Sequence, residues 1–342
     1  GFLVMGLARK VSPVPSAWFE ADRTASACVL AHREPIEWPG GGRAIHVPAR
    51  PGMPTALLLH GWVMNRAAWA EAAVALLERG YGIVMPDLPG HGDAAPLPAS
   101  VGPAELFDAI AELVLQGLDR LGLRRVPVAG YSMGATTALS LLKRAPQRFE
   151  RALLLGPVLA APLLQLAYAS PGLQARLLRN LVRAVGGARG PALRRVALAL
   201  LAHVAPVGAQ LRRRIVDGLV DGGLLPSRSH WAPYSGMGSL CEVEVFLESL
   251  ARTDFRIASR YFAASCATRF AGVLERFDAP VLLATGTLDA LSPPRFCRRR
   301  AARTPGHGRL ALIDGADHAV LSQAPAEVGR LLVSWLEEPV SR

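Results

Sequence analysis

The sequence predicts an α/β fold, in which a doubly wound, mostly parallel sheet is interrupted by an inserted all-helical cap. Short, continuously apolar runs alternate with segments of helical spacing before residue 156, and the alternation resumes after residue 279. Such runs are typical of strands buried on both faces, and their alternation with helices indicates parallel crossovers. Between the two parts, helical patterns continue without a convincing strand.

The first fifty residues predict a hairpin that leads into the sheet. Residues 28–31 and 44–47 are short strand candidates, and Pro39-Gly40-Gly41-Gly42 between them is a turn sequence. The apolar start of the chain is too short for a secretory signal, and Lys10 follows it.

The sheet and its helices follow in strict alternation. Further strands are expected at 55–59, 81–85, from Val126, and at 152–155, 281–285 and 310–313. Helices are expected at 65–79, 103–121, from Met133 to Leu142, and at 294–303 and 324–336. This order predicts a core built from 1–156 and 279–342, with residues 157–278 as a lid or cap over it.

The start of the predicted cap is the most apolar part of the chain. Residues 152–169 reach only about the length of a membrane span, and Pro157 and Pro162 interrupt them. A strand that runs into the cap is the better interpretation.

Charge and cysteine content limit the function classes. The net charge is +11, but Lys10 and Lys143 are the only lysines among 38 basic residues, which is typical of a coding bias toward Arg. No basic and aromatic residues alternate as single-stranded nucleic acid would require, so we expect no nucleic-acid partner. The four cysteines form no CxxC pair or metal-like cluster, which favours buried thiols and a reducing, cytoplasmic location, with one or two disulfides as the alternative.

A candidate nucleophile lies between a predicted strand and a predicted helix. Gly130-Tyr131-Ser132-Met133-Gly134 has small residues on both sides of Ser132, where a Cβ would collide across a sharp turn. The Met133 N–H at the start of the helix is placed to donate to an oxyanion.

A serine nucleophile needs a base, and the base needs an orienting carboxylate. Asp289 and His318 each follow a predicted strand, in Gly286-Thr287-Leu288-Asp289 and Gly315-Ala316-Asp317-His318. The carboxyl ends of parallel strands meet at one edge of a sheet, so these side chains are expected near Ser132. Asp317 and Asp314 are weaker rivals for the role of Asp289.

The loop after the first central strand is expected to complete an oxyanion hole. In His60-Gly61-Trp62, Gly61 allows close approach and the Trp62 N–H would point at the oxyanion. His60 either contacts substrate or braces the loop. In the tight loop Asp87-Leu88-Pro89-Gly90-His91-Gly92, structural bracing is favoured over acid–base chemistry for Asp87 and His91.

Taken together, the motifs at 60–62, 87–92, 130–135, 286–289 and 315–318 resemble those of the α/β-hydrolase superfamily. The resemblance covers about 51–156 and 279–338. It implies Ser132 as nucleophile, His318 as base, Asp289 as orienting acid, and Trp62 and Met133 as backbone oxyanion donors, with no metal or cofactor. It argues against dehalogenase and epoxide hydrolase activity, because such relatives have Asp at the nucleophile position.

The predicted cap carries apolar helical faces with Arg on the opposite side, so its lining favours a hydrophobic acyl chain or ring. Its basic outer face is a weaker candidate for contact with an acyl carrier or a membrane surface. The weak candidates for substrate contact are His60, Gly61, Tyr131, Trp231 and Tyr234.

The sequence therefore predicts a serine hydrolase that acts on a small-molecule ester or thioester. Thioester release, acyl transfer, carbon–carbon bond hydrolysis and perhydrolysis would use the same triad. A small-molecule receptor or binding module on the same fold remains open, because fold does not dictate function.

Overall fold

The computed structural model describes residues 26–27, 29–158, 255–268, 270, 272–289, 291–304, 308–316, 318 and 320–339. Most of the segment predicted as the cap lies outside these residues, so its fold and boundaries stay predictions.

Eight strands form one sheet in the order β1-β2-β4-β3-β5-β6-β7-β8. They are β1 (Ile36–Trp38), β2 (Gly42–Val47), β3 (Thr55–Leu59), β4 (Gly82–Pro86), β5 (Val126–Tyr131), β6 (Phe149–Leu155), β7 (Val281–Gly286) and β8 (Gly308–Ile313). β2 pairs antiparallel with β1 and β4, and every pairing from β4 to β8 is parallel. The predicted fold class is confirmed.

The helices of the described residues cover both faces of the sheet. They are α1 (Ala70–Glu78), α2 (Leu106–Arg120), α3 (Met133–Arg144), α4 (Phe255–Ala267), α5 (Pro294–Ala301), α6 (Val320–Gln323) and α7 (Pro325–Glu337). Alternate residues of each central strand face opposite layers: Leu57 packs with the core under α2 and α3, and Leu58 with the core under α1 and α7. No helix among the described residues is long and apolar enough to cross a membrane.

The start of the hairpin differs from the prediction. The described residues around 28–31 are helical, and the first strand of the hairpin is β1. Ala27 and Leu30 are buried whereas Val29 is exposed, which is the spacing of a helix face. The predicted final helix at 324–336 is confirmed by α7, where Pro325 occupies the first turn because its missing N–H needs no partner there; the short α6 before it was not predicted.

A buried arginine ties the last helix to the sheet. Arg151 on β6 donates to the carbonyl oxygen of Trp335 and, at 3.0 Å, to that of Glu338. These carbonyls lie at the C-terminal end of α7, where a positive charge also offsets the helix dipole. The interaction fixes α7 against the sheet.

Candidate active site

The turn from β5 into α3 presents Ser132. Its backbone has φ 52° and ψ −111°, a conformation that non-glycine residues rarely adopt. A Cβ on Gly130 would collide with the backbone of Gly134, and a Cβ on Gly134 would collide with the carbonyl oxygen of Leu59. The two glycines are therefore required by the close approach of three backbone segments around the serine.

Ser132, His318 and Asp289 form one hydrogen-bonded chain across three strand ends. Ser132 Oγ lies 2.9 Å from His318 Nε2, and His318 Nδ1 lies 2.8 Å from Asp289 Oδ2. With Nδ1–H donating to the carboxylate, Nε2 carries the lone pair that can accept the serine proton. The structure thus brings together the three residues proposed from the sequence.

Asp289 is held as a carboxylate by several donors. Its Oδ1 accepts the amides of Leu291 at 2.8 Å and Ser292 at 2.7 Å, and Thr285 Oγ1 lies 3.1 Å from Oδ2. Burial raises the pKa of Asp289, but the hydrogen bond and charge of His318 and the two amides outweigh it, and the net pKa is lowered.

Asp314 and Asp317 were the alternatives to Asp289 as the orienting carboxylate. Asp314 is exposed and its Oδ1 accepts a hydrogen bond from Thr287 Oγ1 at 3.2 Å. Asp317 lies outside the described residues. The carboxylate that meets His318 in the structure is that of Asp289.

The loop His60-Gly61-Trp62 lies directly against the start of α3. A Cβ on Gly134 would come within 2.6 Å of the His60 carbonyl oxygen, so the loop and the serine turn are in backbone contact. Met133 is the first residue of a 12-residue helix, whose N-terminus favours a negative charge. This placement supports the oxyanion-hole prediction for Trp62 and Met133, which remains a prediction.

His60 joins two loops from below the surface. Its Nδ1 donates to Gly61 O at 2.8 Å, and its Nε2 accepts the Leu88 amide at 3.0 Å. The residue is 1% exposed, and burial lowers its pKa to about 4, so the ring is neutral. This geometry favours the bracing role of His60 over contact with substrate.

The loop after β4 is similarly built around buried polar groups. Asp87 accepts the amides of Arg66 at 2.7 Å and Asp93 at 3.0 Å, and it pairs with the Arg66 guanidinium. The His91 ring packs edge-on against Tyr261 at 4.8 Å, and burial lowers the pKa of His91 to about 3. This burial and these contacts are consistent with the bracing role predicted for Asp87 and His91, which remains a prediction.

Two neighbours of the triad have contacts that were not predicted from the sequence. Tyr131, predicted as a weak substrate contact, donates its hydroxyl to the His318 carbonyl at 2.6 Å. Gly156, with φ 53°, lies so close to the triad that an added Cβ would be 3.3 Å from His318 Cε1. The sequence could have indicated this proximity, because Gly156 directly follows β6 and so lies at the same sheet edge as the triad. Trp231 and Tyr234 lie outside the described residues.

No group of three or more His, Cys, Asp or Glu side chains is arranged as a metal site within the described part of the chain.

Comparison with known proteins agrees with this architecture. A family model described as "alpha/beta hydrolase fold" matches residues 54–203. A solved hydrolase structure from Pseudomonas aeruginosa superimposes with a TM-score of 0.60 at 21% identity, covering 89% of this chain and 98% of that one. The chain has the α/β-hydrolase fold, and part of it matches the model of that family.

Sequence relatives of this chain carry several activities. A pimeloyl-[acyl-carrier protein] methyl ester esterase from Aromatoleum aromaticum is 29% identical over 283 residues, which span 82% of this chain and 96% of that protein. Epoxide hydrolase A from Mycobacterium tuberculosis is 26% identical over 311 residues, covering 84% and 91% of the two chains. The reaction must therefore be inferred from the site itself.

Proposed function

We propose that this α/β hydrolase cleaves carboxylic esters through an acyl-Ser132 intermediate. The observation that carries the proposal is the continuous hydrogen-bonded chain from Ser132 Oγ through both nitrogens of His318 to the buried Asp289. This arrangement is that of an activated nucleophile, a general base and an orienting carboxylate.

In the first half-reaction, Ser132 Oγ attacks the ester carbonyl carbon while its proton passes to His318 Nε2. The negative charge that forms on the carbonyl oxygen is stabilised by the N–H groups of Met133 and Trp62. His318 then donates its proton to the departing alcohol oxygen as the carbon–oxygen bond breaks, leaving the acyl group on Ser132.

In the second half-reaction, water replaces the alcohol. His318 Nε2 takes a proton from the attacking water, the tetrahedral oxyanion forms at the same place, and the acyl–serine bond breaks with return of the proton to Ser132. Asp289 stays ionised throughout, since its pKa is lowered, and stabilises the imidazolium that forms twice in each cycle.

The relatives support ester cleavage more than epoxide opening. The Aromatoleum protein is named as a methyl ester esterase, whereas epoxide hydrolases of this fold are expected to use an aspartate where this chain has Ser132. The same name favours, as a second candidate substrate, an ester whose acyl chain is attached to an acyl carrier protein. Contact between the acyl carrier protein and the basic outer face of the predicted cap is part of this second proposal.

The test is intact-mass spectrometry after treatment with a fluorophosphonate, on wild type and Ser132→Ala. We expect one stoichiometric adduct on wild type and none on the variant. A series of p-nitrophenyl esters of increasing chain length, followed by carrier-linked methyl esters, then ranks the substrates by kcat/KM.

Full turnover by Ser132→Ala would contradict the proposal. So would the lack of an adduct on folded wild type together with no ester hydrolysis, and that result would favour a binding module on the same fold.

A further inference from the structure

Tyr131 connects the strand of the nucleophile to the loop of the base. Its hydroxyl donates to the main-chain carbonyl of His318 at 2.6 Å, a contact between residues 187 positions apart. Tyr131 directly precedes Ser132 on β5 and is 3% exposed. One end of this hydrogen bond is therefore fixed next to the serine, and the other lies on the backbone of the histidine.

The Tyr131 ring is itself held in place. A Cβ on Gly61 would lie 2.9 Å from Tyr131 Cδ1, so the ring packs closely against the loop His60-Gly61-Trp62. The ring centroid is also 5.8 Å from that of His318, with the planes tilted by 32°. The hydroxyl thus extends from a ring that has little freedom to turn.

The loop of His318 has other attachments, and these lead to the acid. The Leu288 amide donates to Ala316 O at 2.9 Å, and the Gly315 amide donates to Thr287 Oγ1 at 2.9 Å. The loops that carry Asp289 and His318 are therefore joined to each other. The Tyr131 hydroxyl joins this pair of loops to the strand that carries Ser132.

We infer that Tyr131 is a positioning residue that sets the distance between His318 Nε2 and Ser132 Oγ through the His318 backbone. This inference rests on the proposed function, because it gives the distance a catalytic meaning. Proton transfer requires the heavy atoms within hydrogen-bond reach, and a displacement of about 1 Å can cost about 100-fold in rate. A hydrogen bond to a backbone carbonyl restrains position without touching the reacting atoms.

The variant Tyr131→Phe removes the hydroxyl and keeps the ring against Gly61. We expect kcat and kcat/KM for a p-nitrophenyl ester to fall by about tenfold with KM little changed, since the loss falls on proton transfer. The rate of fluorophosphonate labelling should fall by the same factor.

Tyr261→Phe is the matched control. The Tyr261 hydroxyl also donates to a main-chain carbonyl, that of Pro89, at 2.6 Å, and Tyr261 is also 3% exposed. Tyr261→Phe removes an equivalent buried hydrogen bond away from His318, so its kcat/KM should stay within about twofold of wild type. Its free energy of unfolding should fall by about as much as that of Tyr131→Phe.

A double-mutant cycle decides whether Tyr131 acts through His318. In a His318→Ala background, Tyr131→Phe should have no further effect on the residual turnover, because the positioned imidazole is already gone. The inference is overturned if Tyr131→Phe equals wild type, if Tyr261→Phe loses as much activity, or if the tenfold loss persists without His318. Absence of both labelling and ester hydrolysis on folded wild type would instead overturn the proposed function.

Discussion

Replacing Asp289 with Asn should stop catalysis while leaving the fold intact. The Asn side-chain oxygen can still accept the amides of Leu291 and Ser292, which lie 2.8 Å and 2.7 Å from Asp289 Oδ1. Its NH₂ group then takes the place of Oδ2, 2.8 Å from His318 Nδ1. Because an NH₂ group donates, His318 Nδ1 must become the acceptor.

The imidazole would therefore hold its proton on Nε2, facing Ser132 Oγ, and lose the lone pair that accepts the serine proton. We expect kcat to fall by about 10⁴-fold, the size of the loss when a triad histidine is held in the wrong tautomer. This corresponds to about 5.5 kcal/mol of transition-state stabilisation.

The assay is kcat/KM for a p-nitrophenyl ester, with urea unfolding of the same preparations. Asp314→Asn is the control, since Asp314 is exposed on the neighbouring loop and is hydrogen-bonded to Thr287 rather than to His318. Its activity should stay within about twofold of wild type. Activity of a folded Asp289→Asn protein within tenfold of wild type would refute the assignment of the orienting acid.

Two further predictions concern stability. Arg151→Met should lower the free energy of unfolding by about 2 kcal/mol in urea titrations, because the carbonyls of Trp335 and Glu338 lose their donor. The control Arg79→Met, which removes an exposed ion pair with Glu337, should lower it by under about 1 kcal/mol. Equal losses in the two variants would contradict this reasoning. Burial lowers the pKa of His91 from 6.5 to about 3, so the unfolded state binds more protons as the pH falls below 6.5 and wild-type stability declines. His91→Phe should flatten that decline between pH 6.5 and pH 4 in urea titrations, and an unchanged slope would show that His91 does not contribute to it.

The bounds of the central strands could be predicted closely because strands buried on both faces are almost entirely apolar. Residues 56–59 are apolar without interruption after the β-branched Thr55, and β3 covers residues 55–59, since both faces of the strand are covered by helices. Residues 28–31 are equally apolar but short, and periodicity over four residues does not separate strand from helix. The helical outcome depends on which layer covers Ala27 and Leu30, which is a tertiary property.

The triad residues could be predicted from the sequence because of the sheet topology. Ser132, Asp289 and His318 follow β5, β7 and β8, and parallel strands bring their carboxyl ends to one edge. The contact of Tyr131 with His318 was not within reach. It joins residues 187 positions apart through a backbone carbonyl, which has no side-chain signature in the sequence.

Three polar side chains around the site share one arrangement: each joins segments that belong to, or follow, different strands. His60 bonds to the amide of Leu88 after β4, Tyr131 on β5 to the carbonyl of His318 after β8, and Thr287 after β7 to the amide of Gly315. Loops fixed to one another hold their donors and acceptors in place before substrate arrives, so little reorganisation is needed during reaction. Substitutions in these braces should therefore change rates for all esters by a similar factor, whereas changes in substrate preference should come from residues that contact the acyl group.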